Sequence, residues 1–347
     1  MKILLIRFSS FGDVLQTLSV AGRLGEAFPN AEIHWVTRAE FAPLITLHPR
    51  VQKVWTLPRG AGWRELTALG RQLKREKFTH VYDAHNNLRS RVISWQLNGW
   101  LSWRVWLGGR KFLRRSLYRG KRFMLFQLRK NFFPQPFSGQ FALLEPLQRW
   151  NLSSKAPPTP QLYLPPATSA AVQARIPVRD FVALAPSAAF PLKRWPLEYW
   201  RDLILQLPEA NFVVLGGGED TFLQELVGVA PERVFNMAGK LSLLESASVI
   251  SLARVLVSND TGLMHVAEQI GKPCLALMGP APFGFPSRPR TEIFEVALTC
   301  RPCSKHGQGP CVNAELQKCM RDIKPEHVAR SLRRLLLAPM DASVSQS

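Results

Sequence analysis

Three short stretches place a reactive side chain where an apolar run gives way to a helical pattern. Asp13 ends Ser9-Ser10-Phe11-Gly12-Asp13 after the run 2–8, and Lys193 lies in the loop Ala185-Pro186-Ser187 to Lys193-Arg194-Trp195-Pro196. His265 closes Ser258-Asn259-Asp260-Thr261-Gly262-Leu263-Met264-His265. A carboxylate can take a proton from an attacking hydroxyl, and a lysine beside unpaired helix N–H groups can stabilise charge on a departing phosphate. Ser187 and the backbone amides near it suit phosphate oxygens. Asp260 or Thr261 can cap the next helix, and Gly262 removes side-chain bulk from a second anion cradle. Plainer readings stand beside these: Asp13 as a helix cap or dipole partner, Lys193 and Arg194 as a solvated basic pair, His265 as a satisfied helix histidine. Two phosphate-type loops in one half of the chain favour the functional reading of that half.

Such residues act together only if regular elements hold them at one edge of a sheet. Strand-like runs at 2–8, 33–37, 53–57 and 80–84 alternate with helical stretches at about 11–28 and at 63–76. After Pro157, Pro158, Pro160, Pro165, Pro166 and Pro177 the alternation restarts, with strand runs at 181–185, 212–215, 254–257 and 273–278. Helices are expected from Pro196, from about Glu219, from about Thr261 and over 325–337. The alternation predicts an α/β chain of two Rossmann-like lobes with parallel sheets. We place the lobes at 1–156 and 179–338, with a proline-rich linker at 157–178, where continuous helix or central strand is disfavoured, and a flexible tail at 339–347. In open α/β sheets ligands bind beyond the carboxyl ends of strands, where all three reactive stretches fall.

The 347 residues suit two lobes, and 46% hydrophobic with 20% charged residues can bury cores. A net charge of +20 favours anionic partners. Residues 84–144 carry twelve Lys or Arg, including Arg114, Arg115, Lys121 and Arg122, and no Asp or Glu. Interleaved with them are Trp95, Trp100, Trp103, Trp106, Phe112, Phe123, Phe126, Phe132 and Phe133. That mixture suits an anionic lipid surface; the aromatics alone also suit the buried side of an ordinary helix. Nucleic-acid binding ranks lower because it leaves the phosphate-type loops of the second half unexplained. The opening apolar run ends at Arg7, and the richest later span, 92–109, is broken by Gln96, Asn98 and Arg104. Neither export nor a membrane crossing is expected, which makes the protein cytoplasmic and peripheral to the membrane.

Four of the five cysteines cluster as Cys300, Cys303, Cys311 and Cys319. Without an export signal, such clustering suggests a structural zinc site before it suggests disulfides. Only the first pair has knuckle spacing, and a loop of reduced thiols fits equally.

Several motifs together resemble glycosyltransferase family 9, the heptosyltransferases that build the inner core of lipopolysaccharide. They are Lys2-Ile-Leu-Leu-Ile-Arg7 with Phe11-Gly12-Asp13-Val14, Lys193-Arg194-Trp195-Pro196, Gly216-Gly217-Gly218-Glu219-Asp220, Met237-Ala238-Gly239-Lys240-Leu241-Ser242 and Asn259-Asp260-Thr261-Gly262 through His265. The resemblance extends over nearly the whole chain. It implies an inverting enzyme of GT-B architecture, two Rossmann-like lobes facing across a cleft, that transfers heptose from ADP-heptose to an acidic lipopolysaccharide core. The acceptor would lie in the first lobe, with residues 84–144 at the inner face of the inner membrane, and the donor in the second. Asp13 would be the base and Lys193 a donor-phosphate contact, with Ser187, Asp260, Thr261, Gly262 and His265 around the diphosphate. Glu219 would bind the ribose, and Met237 and Gly239 would face the adenine. Glu219 and Asp220 are interchangeable in so short a turn, and Ala188-Ala189 stands where hydroxyl residues are often seen. No metal or cofactor is required for such a displacement. A family 9 transferase with a hexose or N-acetylhexosamine donor is the alternative.

Overall fold

The computed structural model describes residues 1–98 and 111–338. Trp100, Trp103, Trp106, the later part of the span 92–109 and the tail at 339–347 lie outside them. The chain divides into two compact units, Met1–Phe133 with Ser138–Tyr163, and the chain from Leu164 with Pro134–Phe137.

In the first unit, β1 (Lys2–Ile6) is an unbroken apolar run in which Ile3, Leu4, Leu5 and Ile6 are fully buried. Burial on both faces is the mark of a parallel sheet covered by helices, and it explains why the run does not alternate. β1 pairs in parallel with β2 (Glu32–Arg38) and β4 (His80–Asp83), flanked by β3 (Lys53–Leu57) and β5 (Lys111–Arg114) in the order β3-β2-β1-β4-β5. Helix α1 (Phe11–Ala27) leads from β1 toward β2, and α2 (Trp63–Arg75) from β3 toward β4. Leu66, Leu69 and Leu73 of α2 recur at helical spacing and bury against Leu4, Ile6 and Val81. Each such side chain contributes about 1.5–3 kcal/mol by leaving water.

The second unit holds six parallel strands: β6 (Val182–Ala185), β7 (Phe212–Val214), β8 (Val234–Asn236), β9 (Val255–Asn259), β10 (Cys274–Leu277) and β11 (Thr291–Phe294). Their order is β11-β10-β9-β6-β7-β8. In each unit the chain builds outward from its first strand in one direction and then crosses to that strand's other side. The crossing opens a crevice at the carboxyl edge, between β1 and β4 in the first unit and between β6 and β9 in the second.

Three strands, β5, β8 and β11, were not expected from the sequence. β5 is a basic edge strand, β8 has three residues, and β11 is half-buried throughout, so none carries a strong apolar signal. The helix expected from about Glu219 is instead a 3₁₀ stretch, Thr221–Val229. Its buried Leu223 and Leu226 are three residues apart, the repeat of that tighter helix. The proline-rich stretch is not irregular throughout, since it contains the helix Pro166–Gln173. Pro166 stands at its first position, where no backbone N–H is needed.

Candidate active site

Arg7 directly follows β1, and Ser10 caps α1, which brings Asp13 into the first turn of the helix at the β1/β4 crevice. Asp13 forms an ion pair with Arg7 through Oδ2, which also accepts from Ser10 Oγ at 2.9 Å. Asp13 Oδ1 lies 3.4 Å from Arg115 Nη1, just past β5. The capping role holds as well, because Ser10 N donates to Asp13 Oδ2 at 3.4 Å. Burial alone would raise the Asp13 pKa. The charges of Arg7 and Arg115 and the bonds from Ser10 outweigh it and hold the carboxyl well below the usual carboxylate range. Arg7 itself is 4% exposed. Its pKa falls to about 10, driven first by burial and opposed by Asp13. It donates from Nη1 to Ala84 O at 2.6 Å, tying the loop after β1 to the loop after β4.

His85 stands in that second loop. Burial, followed by the charge of Arg7, lowers its pKa to about 3, so the imidazole is neutral at physiological pH. Its Nδ1 is buried without a hydrogen bond. Beside it the fully buried Asp83 accepts from His85 N at 3.2 Å and Asn86 N at 2.8 Å through Oδ1, and from Arg114 Nε at 3.1 Å through Oδ2. A cavity of about 500 Å³ at the same sheet edge is lined by Asn86, Arg91, Ser116, Tyr118, Arg119 and Lys121. Arg91, Arg119 and Lys121, with no acid among these side chains, give it a positively charged lining.

The crevice of the second unit is built around Asn259, the fully buried last residue of β9. Its Nδ2 donates to Pro186 O at 2.6 Å and its Oδ1 accepts from Trp195 N at 3.1 Å, so both ends of the loop after β6 are fixed to β9. That loop carries Ser187, partly exposed, and Lys193. Lys193 Nζ lies 2.5 Å from Asp260 Oδ2. Thr261 is the helix cap, with Oγ1 accepting from Leu263 N at 3.3 Å, and helix Gly262–Ile270 begins directly after it. The unpaired N–H groups of its first turn and the lysine therefore share one mouth. His265, one turn in, is 6% exposed, with Nδ1 2.7 Å from Glu268 Oε2.

Two further loops meet at the ends of β7 and β8. Gly217 N donates to Asp220 Oδ2 at 2.8 Å, so Asp220 closes the glycine turn while Glu219 is left exposed. Gly239 has φ +72, and a Cβ there would stand 2.8 Å from Gly218 Cα. Glycine at 239 is what lets the turn after Met237 close onto the turn before Glu219.

The family model described as glycosyltransferase family 9 (heptosyltransferase) matches residues 66–311. The chain belongs to glycosyltransferase family 9. Lipopolysaccharide heptosyltransferase 1 of Pseudomonas aeruginosa is 27% identical to it, covering 98% of this chain and 99% of its own length. Among solved structures, a family 9 glycosyl transferase from Veillonella parvula superposes with a TM-score of 0.76 at 19% identity, covering 97% of both chains. The ADP-heptose lipopolysaccharide heptosyltransferase II of Escherichia coli gives 0.71 at 21%, covering 97% of this chain and 99% of its own. These likenesses show the fold, which is GT-B, and membership of the family makes the protein a glycosyltransferase.

Within this family 9 chain the sequence-derived residues fall into separate groups. Asp13 and Arg115 meet at the first crevice; Ser187, Lys193, Asp260, Thr261, Gly262 and His265 gather at the second; Glu219, Met237 and Gly239 lie on its adjoining loops. Of the four named cations, Arg114 and Arg115 are internal ion-pair partners. Lys121 is exposed, its Nζ 5.9 Å from the ring centres of Tyr118 and Phe133, and Arg122 is half-buried. No disulfide joins the cysteines among the described residues. Burial pushes the Cys319 thiol up to about 11; Arg301 opposes this, and Cys303, Cys311 and Cys300 add to it. Gln317 N donates to Cys311 Sγ at 3.3 Å, and Gln317 Nε2 reaches Pro191 O at 2.8 Å, which braces the Lys193 loop. The mutually close set of candidate metal ligands among the described residues is instead Glu32, His34 and Glu76, where Lys2 and Lys53 already supply positive charge.

Arg7, His85, Asn259 and Glu268 were not given roles from sequence. The available signal was position: a polar residue directly after an apolar strand, or inside a buried helix face, demands a partner.

Proposed function

We propose that the protein is an inverting heptosyltransferase that moves heptose from ADP-heptose onto an acidic lipopolysaccharide core, without a catalytic metal. The observation that carries this reading is the chemical division between the two crevices. One holds an ionised carboxylate among arginines; the other holds a lysine at a helix N-terminus. Two of the named relatives, from Pseudomonas aeruginosa and Escherichia coli, are lipopolysaccharide heptosyltransferases. Asp13 takes the proton of the attacking hydroxyl as the donor's C–O bond breaks. Lys193, Ser187, the amides of Thr261 and Gly262, and His265 take up the charge growing on the diphosphate. Glu219 binds the ribose, and Met237 and Gly239 face the adenine.

A carboxylate held so far down in pKa is ionised but weakly basic. Arg115 is the looser of its two cationic partners, and an acidic group of the acceptor that draws Arg115 away raises the basicity of Asp13 when acceptor is present. The cationic cavity beside Asn86 suits that group. A panel of nucleotide-sugars tests the donor: ADP-heptose is expected to be consumed, and consumption of a hexose or N-acetylhexosamine donor alone would replace this reading with the alternative.

The same reading makes the protein peripheral to the inner face of the inner membrane. No helix among the described residues is long and apolar enough to cross a membrane. Helix Arg119–Gln127 and the turn after it expose Phe123, Leu128 and Phe132 beside Arg119, Lys121, Arg129 and Lys130. Each cation near an anionic surface contributes about 1 kcal/mol. Reversing Arg119, Lys121, Arg129 and Lys130 to Glu is expected to abolish flotation with anionic vesicles while ADP affinity persists. Flotation indifferent to salt and to these reversals would remove the membrane role. Arg114 and Arg115 are unsuited to that test because their reversal breaks internal ion pairs.

The four clustered cysteines are read as a structural zinc site that braces the Lys193 loop. Zinc-bound thiolates would replace the raised Cys319 thiol. Elemental analysis of protein purified without chelators is expected to find stoichiometric zinc. Sub-stoichiometric metal, with melting unchanged by chelator, would leave the cysteines as reduced thiols.

A further inference from the structure

Glu268 lies one turn beyond His265 on helix Gly262–Ile270 and is 1% exposed. A carboxylate so fully removed from water is costly unless hydrogen bonds replace its solvent. Here they do: Oε1 accepts from Ser287 N at 2.6 Å and from Arg288 N at 3.0 Å, while Oε2 stands 2.7 Å from His265 Nδ1. Where the carboxylate is the acceptor of this contact, the imidazole proton lies on Nδ1. The same carboxylate joins two parts of the crevice, because the segment after β10 that it holds at 287–288 includes Gly284. That glycine has φ +85, and a Cβ there would stand 3.8 Å from Asp260 Oδ1.

We infer that Glu268 is a positioning residue of the diphosphate site: it sets the tautomer and direction of the His265 ring and fastens the segment after β10 to the helix whose N-terminus forms the anion cradle. The inference rests on the reading of this crevice as the donor site. Glu268 touches no substrate in this account and acts through His265.

The test uses the full-length protein, with ADP as the ligand, in His265→Ala, Glu268→Gln, Glu268→Ala and the double variant His265→Ala/Glu268→Ala. Glu268→Gln preserves shape and backbone acceptors, so it decides the matter if the alanine variant does not fold. Nitrogen-15 spectra of the histidine rings are expected to show a fixed Nδ1–H tautomer at His265 in the parent protein and its loss in Glu268→Gln. ADP affinity is expected to fall roughly tenfold in His265→Ala and in the Glu268 variants, with the double variant no weaker than His265→Ala, because groups acting through one another do not add. Unchanged ADP affinity and an unchanged tautomer in Glu268→Gln would overturn the inference, as would additive losses in the double variant. Undiminished ADP binding by His265→Ala would overturn the donor-site reading itself, and the inference with it.

Discussion

Replacing Asp13 by alanine is expected to lower turnover by about 10²–10⁴-fold while ADP affinity stays close to that of the parent protein. The carboxylate belongs to the first unit, where it meets Arg7, Arg115 and Ser10, whereas every residue assigned to the nucleotide lies in the second. Removing it also leaves the buried Arg7 without its countercharge, and an uncompensated buried charge costs about 3–5 kcal/mol. Asp13→Asn, which also lacks the charge, is the sharper variant because the amide keeps the size and an oxygen that can accept from Ser10 and Arg7 but accepts no proton at working pH. The depressed pKa adds a pH signature. A carboxyl held below its ordinary range is already ionised throughout about pH 5–8, so activity in that window should show no acid limb from Asp13. By the same sign, stability contributed by its ion pairs is present above the ordinary carboxylate pKa and is lost only as pH falls through the depressed one. Near-normal kcat in Asp13→Asn would remove the residue from the chemistry.

Replacing Lys193 by alanine is expected to lower kcat by about 10²–10³-fold, the scale seen when one charge-stabilising donor is removed from a preorganised site. The side chain is 14% exposed and is held 2.5 Å from Asp260, so its ammonium is fixed before any ligand arrives. Without it Asp260 loses its Lys193 partner in the crevice proposed to hold the diphosphate. The donor KM should rise along with the fall in kcat, and adding Asp260→Asn should recover part of the KM but little of the kcat. A loss below tenfold in kcat, measured with saturating donor, would mean that the helix N-terminus and backbone amides suffice.

The sequence exposed the skeleton of this arrangement because doubly buried parallel strands leave long apolar runs. Lys53–Leu57 and Pro325–Leu337 have the limits read from sequence, and the other expected runs shift by a residue or two. What escaped notice was the structure whose stability comes from neighbours rather than from pattern. β5 is a basic edge strand held by pairing with β4, and the 3₁₀ stretch after Asp220 depends on the glycine turn before it. At the sites, the motifs contained Asp13, Lys193, Arg7 and Asp260 but gave no sign of which would pair. Arg115 comes from another element, and spacing in sequence carries no sign that a guanidinium 102 residues away will reach Asp13. The basic stretch showed the converse error of resolution: a run of like charges hides that Arg114 and Arg115 are internal struts and that Lys121 lies at the surface.

The central claim is direct displacement of ADP from ADP-heptose by an acceptor hydroxyl that Asp13 deprotonates. Incubation with ADP-heptose and a lipid A-Kdo or heptosyl-core acceptor, with no added divalent metal, followed by mass and NMR analysis of the product, tests it most directly. The account predicts one added heptosyl group, equimolar ADP and an anomeric configuration opposite to that of the donor. An unmodified acceptor, or a product that retains the donor's configuration, would contradict it.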